Sequence, residues 1–144
     1  MAKNFQQGKY VPKHPEKYVG DVTNIVYRSS YELEMNQFLD NNVRVLHWSS
    51  EEIAIPYIKP TDGRVHRYFP DYWVEYADKD GVIAQEIIEV KPYSQTRSPR
   101  GNHKHKLYEQ ITLAINVAKW KACSEFCKQN NMKFRIITEK KLFK

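Results

Sequence analysis

The stretch from Val82 to Lys91 restricts the fold more than any other part of the chain. It reads Val-Ile-Ala-Gln-Glu-Ile-Ile-Glu-Val-Lys and runs into Pro92. From Val82 to Ile88 it is largely apolar, as expected of a central strand buried on both faces. Side chains alternate along a strand, so Glu89 and Lys91 share a face while Val90 points away. A carboxylate and an ammonium at the end of a buried strand need partners, because unpaired charge is costly to bury. The rest of the chain has to supply layers on both faces of this strand and a chemical reason for its charged end.

The surrounding elements meet the first demand. A helix starts at Ser29-Ser30, with Tyr31, Met35, Phe38 and Leu39 on one apolar stripe, and Asn41-Asn42 ends it. Short strands follow. Val43 to Trp48 is β-branched and aromatic, Ile53, Ile55 and Tyr57 alternate, and the turn at Asp62-Gly63 leads into Val65 to Phe69. Asp71 to Tyr76 is the next strand, joined to Val82–Lys91 by Asp78-Lys79-Asp80-Gly81. A long helix runs from about Lys104 to Gln129 on the stripe Leu107, Ile111, Ala114, Ile115, Ala118, Ala122 and Phe126. Asn130-Asn131 stops it, and Phe134 to Thr138 is a last strand. The expectation is an α/β sandwich with a mixed sheet flanked by helices, over residues 28–144. Residues 1–27, rich in Lys, Tyr, Pro and Gly without periodicity, read as an extended basic N-terminal arm.

Charge narrows the choice of partner. Lys and Arg number 23 against 17 Asp and Glu, a net charge of +6, which favours a polyanion. From Pro92 to Tyr108 the chain carries Arg97, Arg100, His103, Lys104, His105 and Lys106 without one acid. The arm adds Lys3, Lys9, Lys13 and Lys17 against Glu16 and Asp21. Arg28, Arg97, Arg100, Lys104 and Lys106 are the candidate phosphate contacts. Lys119 is a further one, with exposed surface charge as its ordinary reading, and Gln110 reads as solvated. No apolar run approaches the roughly 20 residues that span a bilayer. The polar start of the chain lacks the apolar segment of a secretory signal, so export is not expected. Cys123 and Cys127 lie on one helical face and read as small buried residues in a reducing compartment. His103 and His105, even with Cys123, are an incomplete zinc set. Trp48, Trp73 and Trp120 read as core.

The charged strand end has a chemical reason if a metal ion is its partner. Asp71 and Glu89 lie 18 residues apart across a tight turn. Neighbouring strands are about 4.8 Å apart, so the two carboxylates can converge on one ion. Magnesium takes one or two carboxylates with waters and phosphate oxygens. Lys91 is then placed to orient a metal-activated water or to stabilise a pentacovalent transition state. The plainer alternative makes Asp71 a turn residue after Pro70, and Glu89 with Lys91 an ion pair on an edge strand.

Pro70-Asp71 followed by Glu89-Val90-Lys91 resembles the motif of the PD-(D/E)XK nuclease superfamily. That resemblance implies a restriction-endonuclease-like core, with Asp71, Glu89 and Lys91 catalytic and Asp71 and Glu89 on the metal. It adds Glu32, from the first helix, as a further catalytic and metal-binding residue. The residues themselves also allow Glu32 to complete a capping box with Ser29. The longer strings Tyr27-Arg28-Ser29-Ser30-Tyr31-Glu32 and His66-Arg67-Tyr68-Phe69-Pro70-Asp71-Tyr72 are similar to the head-completion nucleases of T4-like tailed phages. The matched segments run from about Gly8 to Lys91. This resemblance implies an endonuclease, with exonuclease action a second capacity, that uses Mg2+ or, in its place, Mn2+ on double-stranded DNA. It also implies phage head, portal or neck proteins as partners and no membrane. The implied setting is the host cytoplasm during assembly, or the virion. The rivals are a DNA-binding head–tail connector that does not cut, a transposon-end nuclease of similar layout, and a junction resolvase. The oligomeric state stays open.

Overall fold

The computed structural model describes residues 7–91 and 103–138. Along the chain, β1 is Gly8–Lys9, β2 is Val26–Tyr27 and α1 is Ser30–Asn41. Then come β3 (Val45–Ser50), β4 (Ile55–Ile58), β5 (Val65–Tyr68), β6 (Tyr72–Ala77) and β7 (Ile83–Val90). α2 (His103–Gln129) and β8 (Lys133–Ile137) close the fold. The main sheet has the order β3-β6-β7-β8, with β7 and β8 parallel and the other pairs antiparallel. A parallel pair cannot be joined by a tight turn, so α2 is the crossover between β7 and β8. The expected mixed sheet with helices is therefore present.

Alternation sends the two faces of the sheet to different helices. Tyr72, Val74, Ile88 and Ile137 meet Met35 and Leu39 of α1 in one apolar cluster that also holds Val45 and Trp48. Ile87 faces the other way, into a cluster with Ile55, Tyr57, Tyr68, Cys123 and Cys127. Ser29 caps α1, its side-chain oxygen accepting from the Glu32 N–H, and the helix ends at Asn42.

Several expectations need correction. Phe38 is 55% exposed, so the α1 stripe narrows to Met35 and Leu39. β4 and β5 leave the main sheet and pair only with each other. Their inward residues Ile55, Tyr57 and Tyr68 cover α2 instead. Val82 and Ile83 are exposed because β8 pairs with β7 only from Glu86 onward. Leu107 and Ile111 are exposed too. A helix of 27 residues is about 40 Å long and overruns strands of 8 and 5 residues. Trp48 is fully buried, whereas Trp73 and Trp120 pack only partly buried against the second cluster.

The described part of the arm, from Gln7, carries a 3-10 turn at Pro15–Lys17 and a second turn closed by the Asn24 N–H on the Asp21 carbonyl, and it is bound to the domain. Tyr18 and Ile25 enter the core, and the Tyr18 ring meets Trp48 edge-on at 4.8 Å. Buried Asp40 accepts from the Tyr10 hydroxyl at 2.6 Å and from the Lys13 and His14 N–H groups at 2.7 and 3.0 Å. Burial alone would raise this carboxyl, but those three donors and the nearby His14 hold it below the usual range. Lys17 Nζ donates to the carbonyls of Leu39, Asp40 and Asn42, which satisfies the end of α1.

Candidate active site

The last registered pair of β6 and β7 at this end is Tyr72 opposite Ile88. Carrying the antiparallel register one step further sets Asp71 opposite Glu89. Both lie on the α2 face, because Tyr72 and Ile88 point to α1. Pro70 is buried, and the chain leaves β5 and enters β6 through it, which aims Asp71 inward.

Hydrogen bonds fix both carboxylates. Glu89, 4% exposed, accepts from the Tyr68 hydroxyl at 2.6 Å and from the Asp71 N–H at 3.3 Å, both on Oε1. Its Oε2 lies 3.5 Å from Lys91 Nζ. Asp71 Oδ2 accepts from the Val90 N–H at 2.7 Å. The structure thus brings Asp71, Glu89 and Lys91 together. The arrangement is repulsive without a cation. Asp71 is pushed well above the usual carboxylate range, first by burial, then by the charges of Glu89 and Glu32, with the Val90 N–H and Lys91 acting against them.

Glu32 enters the same electrostatic field from α1. Its carboxyl is raised, first by burial and then by Glu51 and Glu89, against the Arg28 N–H and the Arg28 charge. Its Oε1 accepts from the Arg28 N–H at 3.1 Å, one residue before the Ser29 cap, so this carboxylate binds the chain entering the helix rather than the cap N–H itself. Arg28 itself pairs with Glu51, and it is exposed. Arg97 and Arg100 lie outside the described residues, Lys104 belongs to the first turn of α2, and Lys106 is exposed on that helix. Gln110 is exposed as expected. Cys123 and Cys127 are buried free thiols, and burial pushes both upward, away from reactivity.

Two residues at this end, Tyr68 and Glu51, were not assigned a role from sequence, and Lys119, a candidate phosphate contact, is half-buried rather than exposed. Tyr68 clamps Glu89, and no local signal gave this contact, because the partner lies 21 residues later. Glu51 adopts a left-handed conformation with φ 56°, and its N–H donates to the Asp71 carbonyl at 3.1 Å. A side chain bearing a Cβ in that region costs about 1 kcal/mol or more. No local signal foretold it. Lys119 of α2 is held over the rings of Tyr57 and Tyr68.

The donor set fits a hard divalent cation. Carboxylate oxygens suit magnesium or manganese, and the raised Asp71 carboxyl marks excess negative charge that a cation relieves. Among the described residues no three His, Cys, Asp or Glu side chains, Glu32 with Asp71 and Glu89 included, form a group that could hold a metal ion. Magnesium does not require such a group of three, since waters and phosphate oxygens complete its shell. A groove of about 580 Å3 lined by Met35, Phe38, Val74 and Ile137 lies on the α1 face, and neither Asp71 nor Glu89 lines it. Chemistry, not cavity size, marks the site.

The chain resembles known nucleases in sequence. Residues 42–139 match the family model described as TnsA-like endonuclease N terminal. The chain is also similar to the head completion nuclease of Enterobacteria phage T4. The two are 37% identical over 139 residues, covering 92% of this chain and 90% of that protein.

Proposed function

The chain belongs to the TnsA-like endonuclease family, and from that premise we propose that it is a metal-dependent DNA nuclease acting in phage head completion and head–tail joining. The observation that carries the reading is the meeting of Asp71 and Glu89 at one end of the sheet, with Lys91 3.5 Å from Glu89. Endonucleolytic cutting of double-stranded DNA is the main activity, and attack on free ends is a second capacity. The 37% identity to a phage head completion nuclease supports the biological setting, with head, portal or neck proteins as partners in the host cytoplasm. Among the described residues no helix is long and apolar enough to cross a membrane.

Asp71 and Glu89 would hold a magnesium ion, with Glu32 adding negative charge from α1. Such an ion supplies an activated water and neutralises charge on the attacked phosphate. The chain's own residues do the rest. Tyr68 and the Asp71 N–H pin Glu89 Oε1, which leaves Oε2 toward Lys91. The Lys91 ammonium stabilises the negative charge that grows on the phosphoryl oxygens and orients the water beside it. The backbone of Val90 fixes Asp71 in place. DNA is held by Arg28, Arg97, Arg100, Lys104 and Lys106. The first turn of α2 carries no acid, contrary to the usual preference, and that suits a phosphate at this helix end.

Incubating the protein with circular and linear DNA, with and without magnesium, tests the reading. Nicking and linearisation that require the metal and vanish in Asp71→Asn support it. Equal cutting by wild type and Lys91→Ala refutes the assigned site.

A further inference from the structure

The inward stripe of α2 runs Ile115, Lys119, Cys123, Cys127 at four-residue spacing, one face of a helix. Cys123 and Cys127 are buried in the cluster beneath α2, and Ile115 packs against it. Lys119 takes the remaining place, which is an unusual post for a lysine. Among the described residues no carboxylate forms a direct ion pair with it. Two aromatic faces hold it instead, with Nζ 5.9 Å from the Tyr57 ring centroid and 5.7 Å from that of Tyr68. Tyr68 is the residue whose hydroxyl clamps Glu89 at 2.6 Å. Burial lowers the Lys119 ammonium from its usual range, followed by the like charge of Lys91, while Glu89 and Asp71 act the other way. Lys119 therefore shares the field of the acidic pair without touching it.

We propose that Lys119 is a substrate-positioning residue whose ammonium, propped on Tyr57 and Tyr68, grips the DNA phosphate next to the one being cut. The inference rests on the nuclease reading above. Neutralising Glu89 is already the task of Lys91, at 3.5 Å. A second ammonium, kept on the wall of the same site and ion-paired with no acid among the described residues, can offer its donors to another anion. Successive phosphates of one strand advance by about 3.4 Å along the helix axis, so a phosphate at the acidic pair brings its neighbour to the wall. An ammonium suits this task, being a compact charge with three rotatable donors. A lysine that merely lays its stem along apolar surface makes no such contact with DNA.

The test is the salt dependence of binding. Affinity for a short linear duplex is measured across a salt series, with calcium replacing magnesium, for wild type, Lys119→Met and Lys119→Arg. Methionine keeps the stem between the rings, and a thermal melt of each variant checks the fold. The Met variant should bind about tenfold more weakly, as loss of a hydrogen bond to a charged group implies. Its slope of log affinity against log salt should flatten by about 0.9, one phosphate contact fewer. Arginine should restore the slope. In magnesium, KM should rise about tenfold in the Met variant while kcat stays within about threefold. An unchanged slope in the Met variant, or a fall in kcat at constant KM, overturns the proposal. Wild-type protein that binds DNA and never cuts it would remove the nuclease reading, and the slopes would still decide the role of Lys119.

Discussion

Replacing Asp71 by Asn should make the metal-free protein more stable, although it destroys the proposed ion site. Residues directly opposite on neighbouring strands have Cβ atoms about 5 Å apart. Two like charges at about 5 Å repel by about 3 kcal/mol at an effective dielectric of about 20. Lys91 beside Glu89 and partial solvent access offset about half of that, which leaves about 1–2 kcal/mol. Asn keeps a carbonyl oxygen for the Val90 N–H, so the hydrogen bond to the backbone survives. The Asp71 carboxyl is raised in the folded state, so the folded protein retains a proton there that the unfolded chain has already lost. The stability tied to that proton is present at low pH and disappears as pH climbs through the raised value. At mildly alkaline pH the wild type bears the full repulsion, and the variant does not. Thermal unfolding in chelator should then show Asp71→Asn melting about 3–7 °C higher. Saturating magnesium should reverse the order. At a concentration of about 100 times Kd it stabilises the wild type by about 2.7 kcal/mol and does little for the variant. A variant that melts lower in chelator, and that responds to magnesium like the wild type, would refute the reasoning.

Other expectations follow from the same contacts. Tyr68→Phe removes the hydroxyl that clamps Glu89, so it should cost about 1–2 kcal/mol of stability in urea and about tenfold in kcat, with KM little changed. Asp40→Ala deprives Tyr10, Lys13 and His14 of their acceptor, and a loss of about 3 kcal/mol together with faster proteolysis of the arm is the expected result. Magnesium binding should release a proton from Asp71, because the ion needs the ionised form. Calorimetry in two buffers of different ionisation enthalpy would detect this as a heat difference, and apparent affinity should rise with pH.

Much of the site could be read along the chain because its determinants are local. Period-two alternation put Glu89 and Lys91 on one face, and the turn at Asp78–Gly81 set Asp71 against Glu89. The helix cap at Ser29 was equally visible. What escaped depended on segments far apart in sequence. Nothing near Tyr68 indicates that its hydroxyl ends on Glu89, 21 residues later. The left-handed Glu51, with its N–H on the Asp71 carbonyl, answers to a neighbour across the sheet. Phe38 and Ile111 fit helical stripes perfectly well, yet the sheet is too small to cover them.

The order of elements, the two turns and the facing of the acid and the amine were settled by the sequence, since each follows from backbone geometry within a few residues. Tertiary packing decided the rest. It took the β4–β5 hairpin out of the main sheet and laid it over α2. That placement brings Tyr57 and Tyr68 beneath Lys119 and turns a helix lysine into part of the wall beside the acids. The reason is physical: burial and electrostatic fields are sums over neighbours in space, and one-dimensional periodicity does not specify those neighbours.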